Sequence, residues 1–413
     1  MVNVRLPGSK SVTARALYLA AAADGRSVIT RPLSAFDTRA FLGALVALGY
    51  EVSVAKERWE ITGSPSGPPA GAGAVWCHDA ATAARFLPTL CAAGHGRYLV
   101  DASEQMRARP MMPLVQALRD LNVDIQAAAG DHLPLRIEAS GLKGGDIVLD
   151  AGISSQFLTA LCMLGPLTSD GLRIRVTDLV SAPYVDLTIA MMRAFGGQVD
   201  RSGDDFKILP RAYQATEFAV EPDASTASYF LAAAAVTGRS VTIPGLGSRS
   251  AQGDLRFGTE VLPAMGCDVE LSEDSITLRG PGQLTGGEFD MRDISDTMPT
   301  LAAIAPFADS PVSITGVGNV RVKESDRLAA MESNLRACGI RVSSGPDWIT
   351  VEPGQPHGAL IACHADHRIA MACSVLGLRT PGITLDDSLC VSKTCPDFHS
   401  LLGGLCQAWE LAI

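Results

Sequence analysis

Two carboxylates and several cations mark the part of the sequence best suited to chemistry. In the stretch NVRVKESDRL, residues 319–328, Lys323 and Arg327 flank Glu324. Cations are unfavourable at the start of a helix unless an anion is bound there. A second carboxylate, Asp296, precedes the apolar run MPTLAAIAPFA. Carboxylates at a positively charged site are suited to moving protons, so this pattern predicts acid–base chemistry on an anion.

The stretch PGSKSVTARALYLAAAADG, residues 7–25, places another polar cluster before an alanine-rich run. Lys10 and Arg15 lie among hydroxyl side chains where the helix dipole already favours anions, so a strongly anionic ligand is predicted. The Walker phosphate-binding pattern is excluded because a serine separates Gly8 from Lys10. Simple capping of the helix remains an equal explanation for Ser9 and Ser11.

Other polar residues have ordinary explanations when they are taken singly. Arg109 would be a surface charge, His367 beside Arg368 a buried and satisfied histidine, and Lys393 an exposed lysine. These explanations account poorly for the whole set, because its cations fall at or beside regularly spaced helix starts: Lys10, Arg15, Arg85, Arg109, Lys323, Arg327, Arg368 and Lys393. Arginine suits bidentate binding of phosphate and carboxylate, whereas lysine acts as a point charge.

The elements that position these residues repeat six times. A cluster of Ser, Thr, Asp or His, then an Ala/Leu-rich helix, then a β-rich segment recur with steps of 72, 73, 70, 71 and 71 residues. The aligned positions are Lys10, Thr82, Ser155, Ser225, Asp296 and His367. So regular a period indicates a structural repeat.

The second half of each unit reads as an amphipathic helix, a helix-ending turn and two short strands. The turns carry residues that tolerate left-handed backbone: Gly49, Asn122, Gly196, Gly266 and Gly339. One unit is therefore predicted as βαβαββ. The sixth copy lacks its second half, and we expect the amino-terminal strand VNVRL to complete it.

Six units of about 70 residues divide into two domains of three. The predicted fold class is α/β, a two-domain inverted α/β barrel with six βαβαββ repeats. The predicted domains are residues 1–9 with 223–413, and an inserted domain of residues 10–222. We expect the six buried helices to direct their positive amino termini into one interdomain cleft that receives highly charged anions.

Composition excludes several classes of protein. The chain has 413 residues, 47% hydrophobic content and a net charge of −10, which argues against nucleic-acid and anionic-membrane partners. Ten cysteines without a CxxC motif predict reduced thiols and a cytoplasmic location. Cys363, His364 and His367 lack a second ligand pair with zinc-like spacing, so no metal site is expected. No run of 18 apolar residues or amino-terminal signal segment is apparent.

The motifs together resemble those of the EPSP synthase (3-phosphoshikimate 1-carboxyvinyltransferase) family. LPGSKS, ATAAR, MRARP, SSQF, LVSAPY, DASTASYF, NVRVKESDR, DHR and SKTCPDF occur in the family's order along the whole chain. The resemblance implies transfer of the enolpyruvyl group of phosphoenolpyruvate to the 5-hydroxyl of shikimate 3-phosphate, as part of aromatic amino acid biosynthesis. It also implies no cofactor, no metal and a monomer whose partners are these small anions.

The resemblance further implies roles for individual residues. Proton exchange would fall to Asp296 and Glu324, assisted by Lys393. Shikimate 3-phosphate would be held by Lys10, Ser11, Arg15, Ser154, Ser155, Gln156, Ser181, Tyr184, Asp296, Asn319 and Lys323. Phosphoenolpyruvate would be held by Lys10, Ala81, Arg109, Gln156, Arg327, Arg368 and Lys393.

Several positions depart from the family pattern. DAAT replaces the usual Asn-Ala-Gly-Thr, which introduces Asp79 and Ala81, and Phe86 and Ala14 replace a frequent proline and asparagine. These changes leave open a specialised paralogue with a modified acceptor. Two alternatives remain: a transferase acting on UDP-N-acetylglucosamine, although SEQMRARP lacks that family's reactive cysteine, and a non-catalytic anion-binding protein. The two retained carboxylates argue against the last.

Overall fold

Helices and strands alternate along residues 2–411, the part of the chain that the computed structural model describes. The chain divides into two units. Unit 1 comprises the residues up to Pro7 and those from Glu221 onward, and unit 2 comprises Gly8–Val220. The α/β composition agrees with the predicted fold class.

The helices are α1 (Lys10–Ala22), α2 (Phe36–Ala47), α3 (Ala81–Ala92), α4 (Glu104–Arg107), α5 (Met112–Asp120), α6 (Ser155–Leu164), α7 (Pro183–Ala194), α8 (Ala224–Thr237), α9 (Leu262–Ala264), α10 (Met298–Ile304), α11 (Arg327–Ala337), α12 (His367–Gly377) and α13 (Phe398–Ala408). The strands are β1 (Val2–Asn3), β2 (Ala23–Thr30), β3 (Glu51–Ala55), β4 (Arg58–Gly63), β5 (Ala72–Trp76), β6 (His95–Asp101), β7 (Asp124–Ala128), β8 (His132–Ser140), β9 (Gly145–Ala151), β10 (Leu172–Leu179), β11 (Val199–Ser202), β12 (Asp205–Ile208), β13 (Tyr213–Gln214), β14 (Glu217–Ala219), β15 (Ser240–Pro244), β16 (Asp268–Leu271), β17 (Ser275–Arg279), β18 (Gly287–Asp290), β19 (Val312–Thr315), β20 (Val342–Ser344), β21 (Ile349–Val351), β22 (Leu360–Ile361) and β23 (Thr384–Leu385).

The predicted βαβαββ repeat is visible in the strand order of the sheets. In the second copy the order is β5-β6-β8-β7, with β5 parallel to β6 and the other pairs antiparallel. The third copy repeats this order as β9-β10-β12-β11, and the fifth repeats it as β18-β19-β21-β20. The same local pattern of hydrophobic and turn residues therefore produces the same sheet each time.

The first and fourth copies take their first strand from a distant part of the chain. In the first copy, β13 and β14 from the end of unit 2 pair in parallel with β2. In the fourth copy, β1 pairs in parallel with β15, Val2 lying opposite Val241. The expectation that VNVRL completes the sixth copy is therefore wrong. That copy has its own first strand, β22, which within residues 2–411 pairs with β23 in a two-stranded sheet.

The first helix of every copy is buried, as predicted. These helices are α1, α3, α6, α8, α10 and α12, and all twelve residues of α3 are buried. Their alanines leave little side-chain volume, which allows the helices of one unit to pack closely around a shared core. The candidate site residues of these helices lie at or near their starts, as Lys10 and Ser155 do in α1 and α6.

The second helices end at the predicted turn residues. Gly49, Asn122, Gly196, Gly266 and Gly339 all have positive φ, between 63° and 93°. In the fourth copy the second helix is irregular, with a π turn at Phe257–Val261 leading into α9. Pro263 lacks an N–H group, so a regular α-helical hydrogen bond cannot form there. Within residues 2–411 no helix has the length and apolarity needed to span a membrane.

Candidate active site

The regular spacing of helix starts brings an ionic network together in unit 1. We call it the unit-1 network, and it comprises Asp296, Lys323, Glu324, Arg327, Asp366, Arg368 and Lys393. Arg327 is the first residue of α11, and Asp366 caps α12 by accepting a hydrogen bond from the Arg368 main-chain N–H at 3.0 Å. The helix starts thus fix the backbone positions from which the charged side chains project.

Arg327 lies at the centre of the network and is fully buried. Its Nε and Nη2 atoms contact Asp366 at 2.8 and 3.2 Å, and Nη2 also contacts Glu324 at 2.7 Å. Its Nη1 atom contacts Asp296 at 3.1 Å. Three carboxylates around one guanidinium offset the cost of burying these charges. Arg327 therefore holds both predicted proton-transfer residues in place.

Asp296 is surrounded by cations. Arg368 Nη2 lies 2.9 Å and Lys323 Nζ 3.5 Å from its carboxylate, in addition to Arg327. Burial raises the pKa of Asp296. The charges of Arg368, Lys323 and Arg327 together lower it by more, so the net pKa is well below the ordinary value. These cations therefore stabilise the ionised form of Asp296.

Glu324 connects the network to the segment before α13. One carboxylate oxygen contacts Arg327, and the other lies 3.4 Å from Lys393 Nζ. Both Glu324 and Lys393 are almost completely buried, although the sequence alone favoured an exposed lysine. Asn319 lies close by in sequence and donates to Ser295 Oγ at 3.0 Å, beside Asp296. The structure thus brings all the site residues predicted in unit 1 into one region.

Unit 2 presents hydroxyl groups and cations at the starts of α1, α6 and α7. Ser9 caps α1 and Ser154 caps α6, which places Lys10, Ser11 and Ser155 in first helical turns. Capping thus contributes at Ser9, as the simpler explanation proposed. Lys10 Nζ lies 3.2 Å from the buried carboxylate of Asp37 in α2.

Arg15 is fully buried, and its hydrogen-bond acceptors are neutral. Nε donates to Thr188 Oγ1 at 2.8 Å, Nη1 to the Ser11 carbonyl at 3.0 Å, and Nη2 to the Tyr184 carbonyl at 3.1 Å and Thr159 Oγ1 at 3.4 Å. Burial lowers the pKa of Arg15 to about 10, against a smaller opposing effect of Tyr184. A buried guanidinium with neutral neighbours is stabilised when an anion binds nearby.

Arg85 joins two of the predicted ligand residues. It is buried in α3 and donates to Ser154 Oγ at 3.2 Å, Gln156 Oε1 at 3.0 Å and the Pro110 carbonyl at 3.2 Å. These contacts orient the start of α6 and the loop that carries Arg109. Arg85 is among the cations beside the helix starts, but the family motifs implied no role for it.

The remaining predicted residues of unit 2 occupy turns and helix starts. Ala81 is the buried first residue of α3, and Asp79 before it accepts a hydrogen bond from Ser103. Arg109 is buried, with His132 Nδ1 3.1 Å from its carbonyl oxygen. Ser181 has left-handed backbone with φ 53° in the turn before α7. Arg109 directly precedes Pro110, whose carbonyl accepts a hydrogen bond from Arg85.

Two acids escaped the sequence analysis. Asp366 belongs to the DHR motif and neutralises Arg327, and Asp37 pairs with Lys10. The signal for Asp366 was its position before a helix start, where aspartate is a preferred cap. Asp37 gave no such signal, because an acid in the first turn of a helix is ordinary.

Comparison with known proteins tests the resemblance that the motifs suggested. The model of the family described as EPSP synthase (3-phosphoshikimate 1-carboxyvinyltransferase) matches residues 2–402. The chain belongs to the EPSP synthase family. This confirms the predicted family and the prediction that the chain is an enzyme.

Relatives cover nearly all of the chain. The 3-phosphoshikimate 1-carboxyvinyltransferase of Nostoc punctiforme is 40% identical over 405 residues, which cover 96% of this chain and 95% of the relative. That of Photobacterium damsela subsp. piscicida is 41% identical over 409 residues, covering 97% and 96%. The structure of EPSP synthase from Acinetobacter baumannii matches with a TM-score of 0.80 at 26% identity, covering 97% of this chain and 95% of that one.

Proposed function

We propose that this chain transfers the enolpyruvyl group of phosphoenolpyruvate to the 5-hydroxyl of shikimate 3-phosphate, giving 5-enolpyruvylshikimate 3-phosphate and phosphate. The observation that carries the proposal is the pair of carboxylates, Asp296 and Glu324, within 3.5 Å of four cationic side chains. Anion binding alone has little use for two acids in such a position. A reaction that moves protons on anionic substrates requires both.

The ligand assignments follow the family motifs. Shikimate 3-phosphate is bound by Lys10, Ser11, Arg15, Ser154, Ser155, Gln156, Ser181, Tyr184, Asp296, Asn319 and Lys323. Phosphoenolpyruvate is bound by Lys10, Ala81, Arg109, Gln156, Arg327, Arg368 and Lys393. The neutral surroundings of Arg15 support the first assignment, and the burial of Arg327, Arg368 and Lys393 supports the second, since buried cations bind anions more strongly than exposed ones.

The proposed reaction is an addition of the 5-hydroxyl to phosphoenolpyruvate, followed by elimination of phosphate. Protonation of the methylene carbon of phosphoenolpyruvate makes its neighbouring carbon electrophilic, and the 5-hydroxyl oxygen attacks that carbon. The ionised Asp296 accepts the hydroxyl proton. Glu324, assisted by Lys393, exchanges the methylene proton, and loss of that proton with departure of phosphate restores the double bond. The cations stabilise the charge that develops on the phosphate and carboxylate.

Release of phosphate from the purified chain tests the proposal. With both substrates, we expect phosphate and a product whose mass equals shikimate 3-phosphate plus the enolpyruvyl group. Reactions with unphosphorylated shikimate or UDP-N-acetylglucosamine as acceptor test a modified specificity. Absence of phosphate release with shikimate 3-phosphate would contradict the proposal, and release only with UDP-N-acetylglucosamine would replace it with the alternative transferase.

We also propose that the enzyme acts as a cytoplasmic monomer. All ten cysteines are free thiols, which fits a reducing compartment. Sedimentation at micromolar concentration would contradict the monomer if it gave twice the mass of 43.2 kDa.

A further inference from the structure

One buried arginine in unit 2 joins α3 to two segments that carry assigned ligand residues. Arg85 is the fifth residue of α3 and is only 2% exposed. Its Nη1 atom donates to Ser154 Oγ at 3.2 Å and to Gln156 Oε1 at 3.0 Å, and its Nη2 atom donates to the Pro110 carbonyl at 3.2 Å. Its Cζ atom lies 4.9 Å from the centre of the Phe157 ring in α6, which is a cation–π distance. The guanidinium is therefore held in one orientation between α3, the start of α6 and the segment before α5.

The contact with Arg85 determines how the amide of Gln156 is turned. A guanidinium has hydrogen-bond donors and no acceptor, so it can bind only the oxygen end of an amide. Oε1 therefore lies against Arg85, and Nε2 is the end that remains for other partners. An amide NH₂ group is a donor, which suits the oxygens of phosphate and carboxylate. If Arg85 were absent, the amide could rotate and present its oxygen, which repels an anion.

The hydroxyl of Ser154 is constrained in the same way. Its Oγ atom accepts from Arg85 Nη1 at 3.2 Å and from the Gln156 main-chain N–H at 3.3 Å. A hydroxyl has two lone pairs and one proton, so these two bonds occupy its acceptor capacity and leave the proton to be donated. Ser154 is buried, where an oriented hydrogen bond is stronger than in water. Ser154 and Gln156 are thus both prepared as donors by the same guanidinium.

We propose that Arg85 is a positioning residue, which holds Ser154 and Gln156 as hydrogen-bond donors toward shikimate 3-phosphate and does not bind that substrate itself. The inference rests on the proposed function, in which both residues are ligands of shikimate 3-phosphate. The planar guanidinium reaches α6 and the Pro110 carbonyl with different nitrogen atoms. A lysine ammonium at position 85 is a single point charge and cannot reproduce this fork.

Two substitutions of Arg85 separate orientation from charge. Arg85→Met removes both the fork and the charge, whereas Arg85→Lys keeps the charge. By calorimetric titration we expect both variants to raise the Kd of shikimate 3-phosphate by about 10-fold or more, because two ligand hydrogen bonds lose their orientation. Arg193→Met is the matched control: this exposed arginine of α7 donates to the Val199 carbonyl at 3.0 Å, and its loss should leave the Kd unchanged. Parent-like binding by Arg85→Lys would overturn the proposal, because charge alone would then be sufficient.

A double-mutant cycle tests whether Arg85 acts through its two partners. The background Ser154→Ala/Gln156→Ala removes both side chains that Arg85 is proposed to orient. In this background Arg85→Met should raise the Kd further by less than about 3-fold, since coupled residues are not additive. An equal rise in Kd in the parent and in this background would overturn the proposal. If Arg85→Met does not fold, Arg85→Lys takes its place in the cycle.

Urea unfolding of the same variants distinguishes positioning from a general effect on the fold. A purely structural role would lower the free energy of unfolding in both backgrounds but would not make the changes in Kd depend on Ser154 and Gln156.

Phosphate release from the same preparations separates this inference from the proposed function. If the parent binds shikimate 3-phosphate but releases no phosphate, the proposed function fails, and the Kd values still decide the role of Arg85. If the parent releases phosphate and Arg85→Met has the parent Kd, the positioning role is wrong and the proposed function stands. A parent that does not bind shikimate 3-phosphate would contradict both.

Discussion

Glu324 is the residue whose ionisation is most specific to the proposed reaction. Glu324→Gln keeps the shape of the side chain and removes the exchangeable proton. We expect kcat to fall by about 10²-fold or more, with little change in the binding of either substrate. Steady-state kinetics and ligand titration on the same preparation measure the two effects. Glu288→Gln, an exposed change in β18 of the same unit, serves as the control. Near-parent turnover in Glu324→Gln would remove this residue from the mechanism.

The depressed pKa of Asp296 predicts a pH-dependent contribution to stability. A carboxylate whose pKa is lower in the folded state stabilises the fold above its unfolded pKa of about 3.9, and this contribution is lost as pH falls through the folded pKa. Asp296→Asn should therefore lower the free energy of unfolding most near pH 7, and the difference from the parent should shrink below about pH 4. Urea unfolding at several pH values measures it. A difference that does not change with pH would contradict the prediction.

Ala81 predicts weak inhibition by glyphosate, the inhibitor associated with this family. Glyphosate is longer than phosphoenolpyruvate, and an added methyl group in a close-packed site typically costs about 1–3 kcal/mol. Ala81 is buried at the start of α3, where most sensitive members have glycine. Ala81→Gly should therefore tighten glyphosate binding by roughly 5- to 100-fold, with a smaller effect on phosphoenolpyruvate.

The inhibition constant of Ala83→Gly is the control for that experiment. Ala83 is buried two residues further along the same helix, so the change has a similar cost in helix propensity, about 1 kcal/mol, while the methyl group of Ala81 is kept. Unchanged inhibition in Ala81→Gly, or equal tightening in both variants, would show that the methyl group does not exclude the inhibitor. Phe86, which packs edge-on against Tyr18, would then be the place to look for a compensating helix shift.

For single residues, the sequence indicated which side chains belong to the site better than it indicated which side chains they contact. Lys323, Glu324 and Arg327 were recognisable because cations are unusual at a helix start, and the structure places them in one network. Asp37 and Asp366 were missed, and Arg85 was given no role, because each has an ordinary local explanation. Their partners are distant in the chain, as in the 39 residues between Arg327 and Asp366, and spacing within one element does not reveal such contacts.

Asp366 both caps α12 and forms an ion pair with Arg327. A substitution can remove the ion pair and keep the cap. Asp366→Asn keeps a side chain able to cap the helix but leaves buried Arg327 without its bidentate partner. We expect the free energy of unfolding to fall by about 3–5 kcal/mol, as for removal of one partner from a buried pair. Asp326→Asn is the matched control, because Asp326 caps α11 and pairs with Arg321 near the surface. It should lose no more than about 1 kcal/mol. Equal losses would mean that the buried pair contributes nothing specific.

Helices and strands that recur in every repeat were predictable from the sequence. The partners of strands that come from a distant part of the chain were not. The buried helices, the turns at Gly49 and its counterparts, and the βαβαββ order all follow from local patterns that recur every 70 residues or so. The partner of β1 was assigned to the wrong copy because every copy offers a similar parallel edge, and two residues of strand carry too little pattern to choose among them. The irregular helix at α9 was also not predicted. The apolar spacing there favours a regular helix, and Pro263 disrupts it.

For the whole molecule, the proposed shikimate 3-phosphate ligands include residues of both units. Ser155→Ala in unit 2 removes a neutral hydrogen bond, and Lys323→Met in unit 1 removes a charge. We expect the Kd to rise about 5-fold for the first and about 10- to 100-fold for the second. Calorimetric titration measures both. Each control makes the same type of substitution at an exposed position in the other unit. Ser343→Ala in unit 1 and Lys207→Met in unit 2 should leave the Kd unchanged. A normal Kd in either test variant would remove that unit from the assignment.

The pairing of β1 with β15 has a consequence for biosynthesis. Val2 and Val241 are partners, so the ribosome must add 239 residues after the first strand before its neighbour exists. At about 5–20 residues per second this takes roughly 10–50 s. During that interval all of unit 2 emerges, including β13 and β14, which complete the sheet around β2. The inserted unit can therefore fold while the nascent chain still holds an unpaired strand, so the sheet of the fourth copy is completed only after the sheets of unit 2.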